Sequence, residues 1–264
     1  MKPPVFDPAW SDEIKRLWEH DTSEIWDPAK APSVWIQYHN QLDLYRSLVP
    51  ADPPLKVADV GCAQATLALL LAEDGHEVTA VDLRQGFLDY AASRYERGTI
   101  RFLCGNALEM EPPGRFDVVF CNQLVEHVVY PERLVRGLAG WLRPGGRLVM
   151  TTPNGGYFRN DLPSFTSLGD PSTFEARQFT ADGDGHFFAY RAAELVTCLP
   201  PSVFTEVRLR YFETPWVSGH AKLRYVQPLL GERFCRVLDR ATLALPWLAR
   251  TLAHQLMVLA RRGE

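Results

Sequence analysis

The chain has 264 residues, of which 46% are hydrophobic and 23% charged; these are ordinary globular proportions and exclude both wholesale disorder and a fibre. At roughly 150 residues per domain, the length allows one large domain or two small ones. The net charge of -4 argues against a protein that coats polyanions, although residues 191–264 carry 11 Lys or Arg against 6 Asp or Glu while residues 1–190 carry 17 against 26, so the last quarter is basic.

In chain order, helical patterns run over Ser11–His20 and Ser33–Leu48, separated by Asp27-Pro28 and closed by Pro50 and the Pro53-Pro54 pair. Trp10, Trp18, Trp26 and Trp35, four of the seven tryptophans, fall here, and residues 1–50 read as an aromatic helical cap. From Lys56 onward, short apolar runs alternate with helix-period segments, the texture of βαβ units on a mainly parallel sheet. Strands are predicted at Lys56–Val60, Glu77–Val81, Ile100–Leu103, Phe116–Cys121, Arg147–Thr152, Thr205–Phe212 and Gln255–Arg261. Helices are predicted at Ala65–Glu73, Gln85–Tyr95, Pro131–Leu142 and Arg191–Leu199, with the Pro144-Gly145-Gly146 turn stopping the third of these. The polar stretch 155–188 is longer than a connection needs and reads as a lid; 214–250 reads as a helical insertion. Residues 51–264 are therefore expected to form one α/β domain on a single sheet.

No apolar run approaches the roughly 20 residues that span a bilayer, and MKPPVFDPAW lacks the apolar core of a signal peptide, so a cytoplasmic protein is expected. Cys62, Cys104, Cys121, Cys198 and Cys235 are widely spaced without a CxxC, which favours small buried hydrophobes over a disulfide framework or a zinc site.

The most informative segment is VADVGCAQATLALLLAEDGHEVTAVDL. A strand carrying Asp59, a turn at Gly61 and a helix beginning near Ala65 aim backbone N–H groups at whatever lies above the strand end. The next strand leads to Asp82, 21 residues beyond Gly61, where a carboxylate can accept hydrogen bonds from both ribose hydroxyls. A dinucleotide fingerprint needs glycine at 61, 63 and 66, and the chain has Gly61, Ala63 and Thr66. Asp59 would also repel a pyrophosphate, whereas it suits a ligand bearing an ammonium and a sulfonium.

These residues resemble the first motifs of the class I S-adenosylmethionine-dependent methyltransferases, with Ala63 and Ala65 standing where glycine is usual. Alanine there is strained if φ is positive. Further matches follow in order: FLCGNALEM, then the EHV tripeptide, the PGG turn and the TPN after the fifth strand, which look like ubiquinone-type and sugar O-methyltransferases. The resemblance implies a Rossmann-like seven-stranded sheet, mainly parallel with an antiparallel last strand, and S-adenosyl-L-methionine as cofactor. Gly61, Cys62 and Ala63 would form its turn, Asp82 would hold ribose and Leu83 would line the adenine. Asn106 would accept from the adenine amine, Ala107 N–H would donate to a ring nitrogen, and Asn122 and Gln123 would sit near the methionine end. Tyr38, Trp35 or Trp26 is offered as a cation-π partner of the sulfonium, against the plainer reading of core packing.

Methyl transfer is an in-line displacement in which alignment carries most of the rate, so only deprotonation of the acceptor calls for a side chain. His127, after Glu126, and His186, where the lid meets a helix with Asp182 and Asp184 nearby, are the candidate bases. Relatives that bind a divalent metal use an ExxEH segment; here Gln123 replaces the first acid, so no metal is expected. Arg233, Arg236 and Arg240 at helical spacing, with Leu229, Leu230, Phe234, Val237, Leu238 and Ala241 supplying apolar contacts, allow a membrane-surface helix, but a substrate-domain or dimer helix with a solvated arginine face is the preferred reading. The expected activity is O-methylation of a small-molecule hydroxyl on a sugar, phenol or natural product, with small-amine N-methylation or a catalytically weak cofactor-binding subunit as alternatives. Nucleic acid is not expected as a partner.

Overall fold

The computed structural model describes residues 1–178, 186 and 188–264. One seven-stranded sheet organises the chain, in the order β3-β2-β1-β4-β5-β7-β6. Its strands are β1 (Lys56–Val60), β2 (Glu77–Asp82), β3 (Thr99–Cys104), β4 (Phe116–Asn122), β5 (Leu142–Pro153), β6 (Phe204–Phe212) and β7 (Gln255–Arg262). Neighbours from β3 to β5 run parallel, and β7 lies antiparallel between β5 and β6. This is the sheet expected from the sequence.

Alternation along the central strands explains the two cores. On β4, Val119 and Cys121 join Leu148, Met150 and the helix α5 (Pro131–Trp141) on one face. Val118 and Phe120 join Val149 and Met257 on the other, under α2 (Pro32–Ser47) and α3 (Thr66–Glu73). Side chains that alternate faces with both faces covered favour apolar residues on both, hence Val57–Ala58 on β1 and the run Val118–Cys121 on β4. Helix α5 starts on Pro131, whose missing N–H costs nothing there, and buries Leu134, Val135, Leu138 and Trp141 along one stripe. Outer strand β6 instead alternates, exposing Glu206, Arg208 and Arg210, charges that discourage edge pairing.

Three local features depart from expectation. Leu142 to Gly146 do not form a turn ahead of β5 but a bulge within it: Phe116 faces Leu142 while Val118 faces Arg147, and Gly145 takes φ 74. Extra residues on one strand are absorbed by such a kink. Between α1 (Asp12–Asp21) and α2 the chain makes a five-residue π-helix, Thr22–Trp26. Cys104 is exposed and Cys62 half-buried; only Cys121, Cys198 and Cys235 are buried, and all five are free thiols.

Helix α4 (Gln85–Ser93) follows β2. Within the expected lid, two 3-10 turns at Phe165–Ser167 and Pro171–Arg177 are described, and its end is anchored, with Phe188 fully buried; Asp182 and Asp184 lie outside the described residues. Helix α6 (Ala192–Thr197) precedes β6. The insertion before β7 contains α7 (Pro215–Ser218), α8 (Gln227–Leu230), α9 (Glu232–Leu243) and α10 (Pro246–Leu252). Among the described residues no helix is long and apolar enough to cross a membrane.

Candidate active site

Strand order reverses between β1 and β4, so their outgoing connections diverge and leave a crevice above the strand ends. A cavity of about 440 Å³ lies there, within the range of small-molecule sites. Gly61 and Ala63 line it from the turn after β1; Asp82, Leu83 and Arg84 from the end of β2; Asn106, Ala107 and Leu108 from beyond β3; and Asn122, Gln123, Leu124 and His127 from beyond β4.

The turn after β1 is held under strain. Gly61 has φ 72, while Ala63 and Ala65 have φ 45 and 54 and Gln123 has φ 50. Left-handed backbone disfavours a Cβ, and non-glycine residues kept there cluster at functional sites. Compensating bonds are visible. Ala63 N–H donates to Asp82 Oδ2 at 2.9 Å and Arg84 N–H to Asp82 Oδ1 at 3.0 Å, so the carboxylate ties both loops together. Oδ1 also faces Arg84 Nε at 3.5 Å, whereas Oδ2 keeps a second lone pair for a hydroxyl. Gln123 donates from its backbone to Thr151 O and from its amide to Thr151 Oγ1 and Gln255 Oε1. Asn122 Oδ1 accepts from Thr151 Oγ1 at 3.1 Å. Asn106 Oδ1 accepts from Leu108 N–H at 3.0 Å, so this oxygen shapes its own loop and has one lone pair left for an adenine amine.

Three sequence-predicted residues do not line the cavity. Asp59 is buried one strand turn below Gly61, and burial, with Asp82 adding to it, pushes its carboxyl up to about 7. Near neutral pH its negative charge is thus only partly present, and repulsion of a phosphate is correspondingly weaker. Cys62 points away, its thiol pushed up by burial. Tyr38, on α2, faces the core, where Gln64 Nε2 donates to its hydroxyl. Trp26 donates to Asp21 Oδ2, and Trp35 stacks on His39 with ring centroids 3.8 Å apart. None of the three aromatic rings offered to a sulfonium reaches the cavity, because aromatics at helical spacing pack inward.

At the far wall, residues distant in sequence converge. The rings of His127 and His186 meet edge to face, centroids 4.9 Å apart, and His186 Nε2 lies 3.8 Å from Glu126 Oε1. Glu126 is fully buried, and among the described residues its carboxylate oxygens and the Thr152 hydroxyl close no hydrogen bond of ordinary geometry. Burial pushes Glu126 up to about 8 and pushes His186 down. At neutral pH both groups are therefore mainly uncharged. Glu126, His127 and His186 also bring one donor atom each within 4.8 Å of one another. Residues 123–127 supply two of these donors, Glu126 and His127; the third, His186, comes from 59 residues beyond His127, where no local pattern marks it.

Glu13 also lines the cavity. It comes from α1 and faces Arg84 Nη1 at 3.5 Å. No motif marks it; only the amphipathic register of α1 sets its direction.

The family model described as a methyltransferase domain matches residues 58–150. The ubiquinone biosynthesis O-methyltransferase of Coxiella burnetii (strain Dugway 5J108-111) is 35% identical over 101 residues, 37% of this chain and 43% of that protein. The chain thus matches less than half the length of this curated relative. Among solved structures, magnesium protoporphyrin IX methyltransferase from Synechocystis PCC 6803, with bound SAH, has a TM-score of 0.59 at 15% identity and covers 96% of this chain and 95% of its own. The [4+2]-cyclase SpnF, at TM-score 0.52 and 19% identity over 86% of this chain and 82% of its own, shares the architecture under a different name. Fold alone does not decide chemistry.

Proposed function

We propose that the chain, whose residues 58–150 match a methyltransferase domain, is a class I S-adenosylmethionine-dependent methyltransferase that transfers a methyl group from S-adenosylmethionine to a hydroxyl of a small molecule. The observation that carries the reading is that the Asp82-tethered turn and His127 line one cavity, with His186 and Glu126 bringing their donor atoms close to that of His127. The donor set fits the cofactor: a carboxylate with a free lone pair on Oδ2 for ribose, amides at Asn122 and Gln123, and the apolar Leu83 and Ala107 for a base. Bound there, the cofactor would supply an electrophilic methyl group on a sulfonium.

The chain's own residues then align the acceptor, exclude water and move one proton. Leu124, Val128 and Leu134 form the apolar part of the wall, which keeps the displacement away from bulk water. His127, whose ring lies on that wall, takes the acceptor proton on a ring nitrogen. His186, kept neutral by burial, adjoins it and orients it. A hydroxyl needs this base more than a neutral amine does, since a neutral oxygen is the weaker nucleophile and gains more from losing its proton as it attacks. That difference favours O-methylation over N-methylation. The name of the Coxiella burnetii relative points the same way, while the acceptor, a sugar, phenol or natural product, depends on segments outside 58–150.

Asp82→Ala is expected to weaken S-adenosylhomocysteine binding by roughly 1 to 3 kcal/mol through the lost hydrogen bonds, read by titration calorimetry. An unchanged dissociation constant would put the site elsewhere, and no binding by the unaltered protein below millimolar ligand would sink the enzyme reading. The reading also runs without a metal. Turnover is expected to survive dialysis against EDTA; loss restored by a divalent cation would instead make Glu126, His127 and His186 its ligands.

A further inference from the structure

The helical insertion between β6 and β7 takes no part in the cavity at the strand ends. Helix α9 buries one side: Cys235 and Asp239 are enclosed, and Asp239 Oδ1 accepts from the backbone and hydroxyl of Thr214 at 2.7 and 2.8 Å. Arg236, expected on a solvated face, instead turns toward α2 and pairs with Asp43 and Glu232. The opposite side is apolar and open. Phe234 and Val237, one turn apart, are 49% and 56% exposed; Leu229, just before the helix, is 85% exposed and Trp247, just after it, 69%.

At helical periodicity Val237 lies between Phe234 and the pair Arg233 and Arg240, so the two arginines form one margin of the apolar stripe. Both are exposed, and neither enters an ion pair among the described residues. Across residues 214–252 there are six Lys or Arg against two Asp or Glu, and both acids are engaged, Glu232 with Arg236 and Asp239 with Thr214. An apolar stripe of this kind marks an interaction surface. A second copy of the chain suits it poorly. A two-fold interface sets a patch against itself, and antiparallel helices would bring Arg233 of one copy against Arg240 of the other with no acid between them. An anionic bilayer satisfies both halves of the surface: apolar side chains enter the acyl boundary while arginines meet lipid phosphates.

We propose that the outer face of α9, with Leu229 before it, docks on an anionic lipid bilayer. The contact is peripheral and does not depend on methyl transfer. Flotation with phosphatidylcholine vesicles, with and without phosphatidylglycerol, tests it at low ionic strength. Recovery is expected with the anionic vesicles and about tenfold less with the neutral ones. Phe234→Glu/Val237→Glu and Arg233→Glu/Arg240→Glu should each abolish recovery while leaving the circular dichroism melt and the affinity for S-adenosylhomocysteine unchanged, since all four side chains point to solvent. Failure of the unaltered protein to float, or flotation of both variants like the unaltered protein, would overturn the proposal. So would a dimer in sedimentation that Phe234→Glu/Val237→Glu converts to monomer without any vesicle recovery, because the face would then belong to a second copy.

Discussion

Arg94→Met is expected to remove about 3 to 5 kcal/mol of stability, the cost of leaving a buried charge without its partner. Arg94 is fully buried at the end of α4, and its Nη2 lies 2.9 Å from Asp21 Oδ1, with neither side chain exposed. Nη1 donates to Gln64 O at 2.7 Å and Nη2 to Thr66 Oγ1 at 2.9 Å. The same guanidinium thus clamps the end of α1 to the strained turn before α3. Asp21 Oδ2 accepts from Trp26 Nε1 and from Tyr90 Oη, each at 2.8 Å. Glu24 sits in the same enclosure, pushed up to about 8 by burial and by Asp21. Without Arg94, the two carboxyl groups would share a buried site with no cation. Against a total stability of about 5 to 15 kcal/mol, the loss is large enough to read in urea unfolding. The double variant Asp21→Asn/Arg94→Met should recover part of it, because removing both charges of a buried pair costs less than removing one. A double variant as unstable as the sum of the single ones would mean that the pair is not the cause.

The second large effect is on rate. His127→Ala is expected to lower kcat by about 100-fold or more, the ordinary share of a general base, while the dissociation constant for S-adenosylhomocysteine stays nearly the same. The split follows from position: His127 sits on the cavity wall beside His186 and Glu126, whereas Asp82 and the turn it tethers carry cofactor binding. His186→Ala should cost less, since that ring acts through its neighbour. If both variants keep full turnover, alignment alone carries the reaction and neither histidine moves a proton.

Much of the sheet is legible in the sequence because buried parallel strands are apolar on both faces along most of their length, as at Val57–Ala58 and Val118–Cys121. Asp82 is legible too, since a strand end above a turn has few side-chain positions to choose from. What escapes reading is set by tertiary contact. Tyr38 resembles a ligand-facing ring only until α2 is packed, when its face turns to the core. Arg94 and Asp21 have the composition of surface charges and are buried together. His127 and His186 are 59 residues apart, and no local pattern brings them to one wall. The positive φ at Ala63 and Ala65 was the one strain the sequence could anticipate, as a condition, and the backbone meets that condition at both positions.

The cavity above β1, β2 and β4 is expected to hold the cofactor with its reactive end toward His127. A crystal structure of the chain with S-adenosylhomocysteine should show the ribose on Asp82, the base between Leu83 and Ala107, and the methionine end beside Asn122 and Gln123. Ligand density instead in the groove lined by Asp43 of α2, Tyr211 of β6 and Arg240 of α9, or a sulfur turned away from His127, would rule that placement out.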